Sequence, residues 1–233
     1  MPQLKKNRVL RNIFFVITII FIFNILEYNT YGVRKITNSK NIAILVDLSE
    51  ERIYLIDKNK NSIIKKYSIA SGKAKTPSPI GTWKVIKKDR WSGGFGTRWI
   101  GLNVPWGKFG IHGTNRPGSI GSEASHGCIR MFNKDVEDLY EYVEYGMIVS
   151  IYSGPNDPFE NGLVTLKPGD RGSDVLGVQR KMKEKGYYPG ELDGIYGEGM
   201  KFYVMKFRKD NELSISHYID KDFYQKLGII LTD

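Results

Sequence analysis

Residues 42–57 read Ile42-Ala43-Ile44-Leu45-Val46-Asp47, then Leu48-Ser49-Glu50-Glu51, then Arg52-Ile53-Tyr54-Leu55-Ile56-Asp57. Two β-branched runs around a short turn segment predict a β-hairpin. Working outward, Lys58-Asn59-Lys60-Asn61 supplies another turn before the strand-like run Ile63–Ile69. Trp83-Lys84-Val85-Ile86, Trp99-Ile100-Gly101-Leu102, Phe109-Gly110-Ile111-His112 and Met147–Tyr152 continue the pattern, joined by glycine-rich connections. Residues 41–152 are therefore expected to form one mainly β domain. A single helix interrupts it: Asn133 is the expected N-cap, Asp135 lies in the first turn, and Val136, Leu139, Tyr140 and Val143 share a face ending at Gly146.

Beyond a linker at 153–164, rich in Gly, Pro, Asn and Asp, the period becomes helical. Ser173 is the expected cap of a helix carrying Val175, Val178 and Met182 on one face. A second helix is expected to present Phe202, Met205 and Phe207, and a third to cover Asp220–Leu227. Residues 165–233 thus form a small three-helix module.

The 233 residues are 41% hydrophobic, ample for a packed core, and carry a formal charge of +10. Residues 1–40 hold seven of the 35 Lys/Arg and one of the 25 Asp/Glu, which leaves 28 basic against 24 acidic side chains in the rest. A nucleic-acid binder concentrates its basic excess on the folded domain, so nucleic acid is not an expected partner. After Lys5, Lys6, Arg8 and Arg11 comes Ile13–Leu26, fourteen residues without a charge, bounded by Arg11 and Glu27. This is short for a membrane span of about 20 residues and suits the core of a signal peptide. Bulky residues at Leu26-Glu27-Tyr28-Asn29 offer no small-residue cleavage site, which favours a retained anchor. Residues 1–28 are thus expected to be a basic segment and transmembrane signal anchor, contacting the bilayer through 10–28, with 29–40 a stalk. The positive-inside rule places the rest of the chain on the outer face of the cell membrane.

The chemistry concentrates in Gly110-Ile111-His112-Gly113-Thr114 and Ser125-His126-Gly127-Cys128-Ile129-Arg130-Met131: the only cysteine and two of three histidines lie within 17 positions. An imidazole beside a thiol is the usual route to a nucleophilic thiolate. Gly127 permits a tight turn, from which the N–H groups of Gly127 and Cys128 would face a developing oxyanion. A lone cysteine excludes an intramolecular disulfide, and no third acidic or thiol ligand stands at metal spacing, so no metal is expected. A papain-like order fails because the only histidine after Cys128 is His217, in the helical module. Spacing alone leaves open which of His112 and His126 is the base. Trp83, Trp91, Trp99 and Trp106 suit either core and loop anchoring or a sugar-stacking platform. Ser92-Gly93-Gly94-Phe95-Gly96 lacks the Lys-Ser/Thr of a phosphate loop and reads as a flexible loop, a candidate cover for the site.

The hairpin, Ser71-Gly72, Thr76-Pro77-Ser78-Pro79-Ile80-Gly81-Thr82-Trp83, His112-Gly113-Thr114 and the Ser125–Met131 string together resemble the YkuD-like L,D-transpeptidase catalytic domain of bacterial cell walls. The resemblance implies a β-sandwich-like fold with Cys128 as nucleophile, His112 as general base and the Gly113 carbonyl orienting it. It also implies an oxyanion hole around His126-Gly127-Cys128, and Ser125 and Arg130 shaping the pocket or meeting a substrate carboxylate. The implied activity cleaves a peptidoglycan stem tetrapeptide through a cysteine thioester and transfers the acyl group to a neighbouring stem. No metal or organic cofactor is implied, and carbapenem-type β-lactams are implied covalent inhibitors. An L,D-carboxypeptidase using the same site, or a non-enzymatic wall-binding protein, are the alternatives. Residues 165–228 are similar to the three-helix peptidoglycan-binding module through Leu166–Val175, Val178–Met182, Gly186-Tyr187-Tyr188 and Asp193-Gly194-Ile195-Tyr196-Gly197. Its implied ligand is glycan. The second half departs from that pattern at Met200 and at His217-Tyr218-Ile219-Asp220.

Overall fold

The computed structural model describes residues 41–159 and 161–231; the predicted anchor and stalk lie outside them. Among the described residues no helix is long and apolar enough to cross a membrane.

Eight strands run β1 (Ile42–Asp47), β2 (Arg52–Asp57), β3 (Ser62–Ala70), β4 (Gly81–Arg90), β5 (Arg98–Leu102), β6 (Phe109–His112), β7 (Ile129–Met131) and β8 (Ile148–Tyr152). Alternation decides the first hairpin: Ile42, Ile44 and Val46 of β1 and Ile53 and Leu55 of β2 are buried, and the register pairs Ile44 with Leu55 and Val46 with Ile53. Aspartates build the turns. Asp47 Oδ1 accepts the Glu50 N–H (3.0 Å), and Asp57 Oδ1 accepts those of Asn59 (2.9 Å) and Lys60 (3.1 Å).

The expected β-sandwich-like domain takes the form of two sheets closed into a barrel, in the order β1-β2-β3-β7-β6-β5-β4-β8. Two long strands cause the closure. β3 pairs with β2 over most of its length and then, at Ile69 and Ala70, with β7. β4 pairs with β8 through Gly81–Lys84 and with β5 from Val85 onward. A register shift between Val85 and Lys87 leaves Ile86 exposed and bends β4 from one half to the other.

Helix α1 (Asn133–Tyr140) buries Val136 and Leu139. It is shorter than expected because Lys88 Nζ donates to the carbonyls of Tyr140 (3.1 Å) and Val143 (2.6 Å), which closes its C-terminus. Its N-cap is Phe132, so Asn133 is the first helical residue and not the cap.

Helices α2 (Ser173–Glu184), α3 (Glu198–Asp210) and α4 (Lys221–Leu227) enclose a second core that includes Val175, Val178, Met182, Tyr196 and Phe223. Ser173 likewise lies inside its helix, behind Gly172. In α3 the buried face is Met200, Val204 and Phe207, while Phe202 and Met205, expected inside, are exposed. Buried Arg208 is neutralised by Asp220, whose Oδ1 also accepts the Phe223 N–H and caps α4.

The module meets the barrel closely at Gly194. Gly194 (φ +65°) ends the Asp193-Gly194 turn, and a Cβ there would lie 2.5 Å from the Trp106 ring. Trp106 stands edge-on to Trp83 of β4 (centroids 5.1 Å) and to Phe109 of β6 (6.5 Å). Calorimetry is therefore expected to show one unfolding transition for the full chain. In Trp106→Ala the module should melt separately and earlier; an unchanged single transition would show that this contact couples nothing.

Candidate active site

β6 and β7 are adjacent and parallel, with Ile111 opposite Ile129 and His112 opposite Arg130. Ile111, Ile129 and Met131 are 0–1% exposed and fill the barrel. Strand alternation sends Cys128 and Arg130 to the other face, which His112 shares. The nucleophile candidate thus stands one diagonal step from the imidazole. The Cys128 Sγ faces the Lys108 carbonyl at 3.9 Å.

Cys128 follows a turn that only glycine can make. Gly127 has φ +105°, and a Cβ there would lie 2.7 Å from Phe109 Cε1 and 3.0 Å from the Pro77 carbonyl. Its N–H donates to Ser125 Oγ at 2.9 Å, so this predicted oxyanion donor is already engaged within the chain. Ser125 is fully buried, donating its N–H to the Ser71 carbonyl (2.9 Å) and accepting at its own carbonyl from Lys73 N–H (3.2 Å). These bonds join the turn to the 71–78 loop. His126 points to solvent. Arg130 is half-buried and makes no ion pair among the described residues.

His112 is 3% exposed. Its Nδ1 lies 2.5 Å from the Gly113 carbonyl. A carbonyl only accepts, so this contact assigns the ring proton to Nδ1 and leaves the Nε2 lone pair for a proton from elsewhere. The ring stacks on Trp99, its partner across the β5–β6 ladder (5.7 Å, 25°), and meets Phe95 edge-on at 5.0 Å. Trp91 stacks on Trp99 at 5.0 Å and 12°. The glycine-rich loop therefore packs Phe95 onto the base candidate. Trp99 combines core-like burial with a place in the site, a role that sequence reasoning did not assign. The four-residue spacing of Trp91, Phe95 and Trp99 around the loop was the available signal.

Burial pushes the Cys128 thiol up, against smaller opposing effects of the Gly110 backbone and the Arg130 charge. Burial pulls His112 down; the Gly113 carbonyl opposes this, and the Arg130 charge adds to it. Both shifts favour the uncharged form of each group. Among the described residues no group of three His, Cys, Asp or Glu is placed to hold a metal. A cavity of about 480 Å³ is lined by residues including Glu51, Ser71, Ser78 and Glu123, but neither Cys128 nor His112 lines it.

Residues 41–151 match the L,D-transpeptidase catalytic domain (YkuD), and residues 171–227 match the putative peptidoglycan binding domain. The putative L,D-transpeptidase YkuD of Bacillus subtilis is 47% identical over 92 residues, covering 39% of this chain and 55% of that protein. A YkuD from Bacillus licheniformis is 40% identical over 109 residues, covering 46% and 64%. The putative L,D-transpeptidase YqjB of Bacillus subtilis is 34% identical over 131 residues, covering 49% and 74%. The chain therefore spans 55–64% of the length of the two YkuD relatives. Among solved structures, the catalytic domain of the E. faecium L,D-transpeptidase is 26% identical with a TM-score of 0.41, covering 48% of this chain and 96% of that one. The chain belongs to the L,D-transpeptidase family.

The upward shift of the thiol has a measurable consequence. A thiol whose pKa is raised loses its proton only at higher pH, so alkylation of Cys128 by iodoacetamide in free enzyme should be slow at neutrality. The rate should climb through a midpoint above the ordinary thiol range. A rate already maximal at pH 6 would reveal a thiolate–imidazolium pair instead.

Proposed function

We propose that this protein is a cell-wall L,D-transpeptidase that crosslinks peptidoglycan stems. The observation that carries the reading is the shared face of His112 and Cys128, with Nδ1 of His112 committed to the Gly113 carbonyl. In the first step His112 Nε2 takes the Cys128 proton as the sulfur attacks the carbonyl joining the L-centre to the terminal D-residue of a stem tetrapeptide. The developing oxyanion takes the Cys128 N–H, because Gly127 N–H is held by Ser125. The C–N bond then breaks, His112 returns the proton to the leaving amine, and a thioester remains. In the second step the amine of a neighbouring stem attacks that thioester, gives its proton to His112 and releases the thiol, forming an amide crosslink. Every proton moves between His112, Cys128 and substrate.

Arg130, without an ion pair among the described residues, is suited to a carboxylate of the stem, and its charge favours both thiolate and neutral imidazole. Tight desolvation of the resting thiol suits a site that activates only when substrate seats beside it. The helical module, as a peptidoglycan-binding domain, would hold glycan. The apolar run 13–26 would anchor the chain in the cell membrane, with the catalytic domain on the wall face.

Full-length protein incubated with disaccharide-tetrapeptide is expected to yield a crosslinked dimer that has lost one terminal D-residue, detected by mass spectrometry. Cys128→Ala should abolish the product while leaving the melting temperature nearly unchanged. Tripeptide without dimer would assign a carboxypeptidase, and bound but unaltered muropeptide a wall-binding protein. A carbapenem should add its own mass to wild-type protein and nothing to Cys128→Ala.

A further inference from the structure

Asn133 stands at the start of α1, on the far side of the connection that carries Cys128, and no part of the chemistry above uses it. Its Oδ1 accepts the Thr97 N–H at 3.3 Å. The same oxygen occupies the space where a Cβ would stand on Gly96 and also on Gly113. A Gly96 Cβ would moreover lie 2.5 Å from Thr114 N. Three pieces of backbone converge on one amide oxygen: the end of the glycine-rich loop, the residues just after β6, and the first turn of α1. Gly113 is held from its other side by its N–H bond to the Arg98 carbonyl (3.2 Å).

The two groups that orient the His112 ring sit on this junction. One is the Gly113 carbonyl, bonded to Nδ1. The other is Phe95, which meets the ring edge-on. Phe95 precedes Gly96, and Gly113 follows His112 directly.

We infer that Asn133 is the positioning residue of the catalytic base: its amide oxygen locks Gly96 and Gly113 together, and this lock keeps His112 in the Nδ1–H tautomer aimed at Cys128. The inference rests on His112 being the base. The geometric reason for the two glycines is then the same as for the asparagine. They are small so that one polar oxygen can lie between two backbones, where it satisfies the Thr97 N–H that the loop leaves unpaired. Removing the oxygen frees the Gly113 peptide to rotate and Phe95 to withdraw. The imidazole then exchanges with its Nε2–H tautomer, which cannot take the thiol proton.

The test compares wild type, Asn133→Ala and Asn133→Asp in the full chain. Imidazole ¹⁵N shifts in histidine-labelled protein report the tautomer, and steady-state kinetics on disaccharide-tetrapeptide report kcat and KM. Wild type should show a single Nδ1–H form for His112. Asn133→Ala should show a tautomer mixture, with kcat reduced about ten- to a hundredfold and KM little changed, the size of effect expected from a small misplacement of a reacting group. Asn133→Asp keeps the acceptor for Thr97 and should restore the single tautomer. Its added negative charge should raise the His112 titration, which Arg130 otherwise opposes, and move the acid limb of the pH–rate profile upward. Folded Asn133→Ala with an unchanged tautomer and unchanged kcat would overturn the inference. If Asn133→Ala does not fold, an Asn133→Asp variant whose acid limb stays in place overturns it equally. A tautomer change in Asn133→Ala without any turnover in wild type would uphold the positioning role and refute the transpeptidase reading.

Discussion

The lateral pairing of β6 with β7 is the constraint around which the molecule is arranged. The two strands run parallel, and parallel neighbours cannot be joined by a tight turn; they need a crossover of a dozen residues or more. Here residues 113–128 make that crossover. The gap between His112-Gly113-Thr114 and Ser125-His126-Gly127-Cys128 is thus the length of chain required to return to the same end of the sheet. Once it returns, the parallel register aligns His112 with Arg130 and leaves Cys128 on the imidazole's face. The rest of the barrel keeps these short strands flat and supported. β5 carries Trp99 beneath the ring, and β3 holds the outer side of β7 at Ile69 and Ala70.

Desolvation sets the chemistry of this pair. The same burial that fixes the ring between Trp99 and Phe95 raises the thiol and lowers the imidazole, each toward its uncharged form. The Arg130 charge leans on both groups in the direction of reaction.

Much of this was legible in the residues. β1 and β2 fall where alternation places them, because each is half-buried and long enough to show the period. β7 has only three residues, too few for a period, and emerges from the string around Cys128 rather than from strand propensity. Barrel closure was hidden because it depends on β3 and β4 changing partners midway, a matter of bulges and long-range register. In α3 the apolar side chains ring the helix, so Phe202 and Met205 were as plausible inside as Met200 and Val204. Ser125 and Gly127 bond to each other, and Ser125 also bonds to the 71–78 loop, because a buried turn must satisfy its own backbone; local sequence does not show these partners. Asn133 has the composition of a cap. Its actual partners lie about twenty and forty positions upstream, beyond the reach of any local pattern.

The contact between Gly194 and Trp106 changes what a tandem of two modules means here. A binding domain on a loose tether raises local concentration and lets the enzyme sample many positions around its hold. A binding domain wedged against the wall of the catalytic barrel does something else: it behaves as a jig. On the function proposed above, a polymer held by the helices would be offered to Cys128 at one offset. Along a helical strand whose side groups point in successive directions, the interval between modified positions would then be set by the protein's own dimensions.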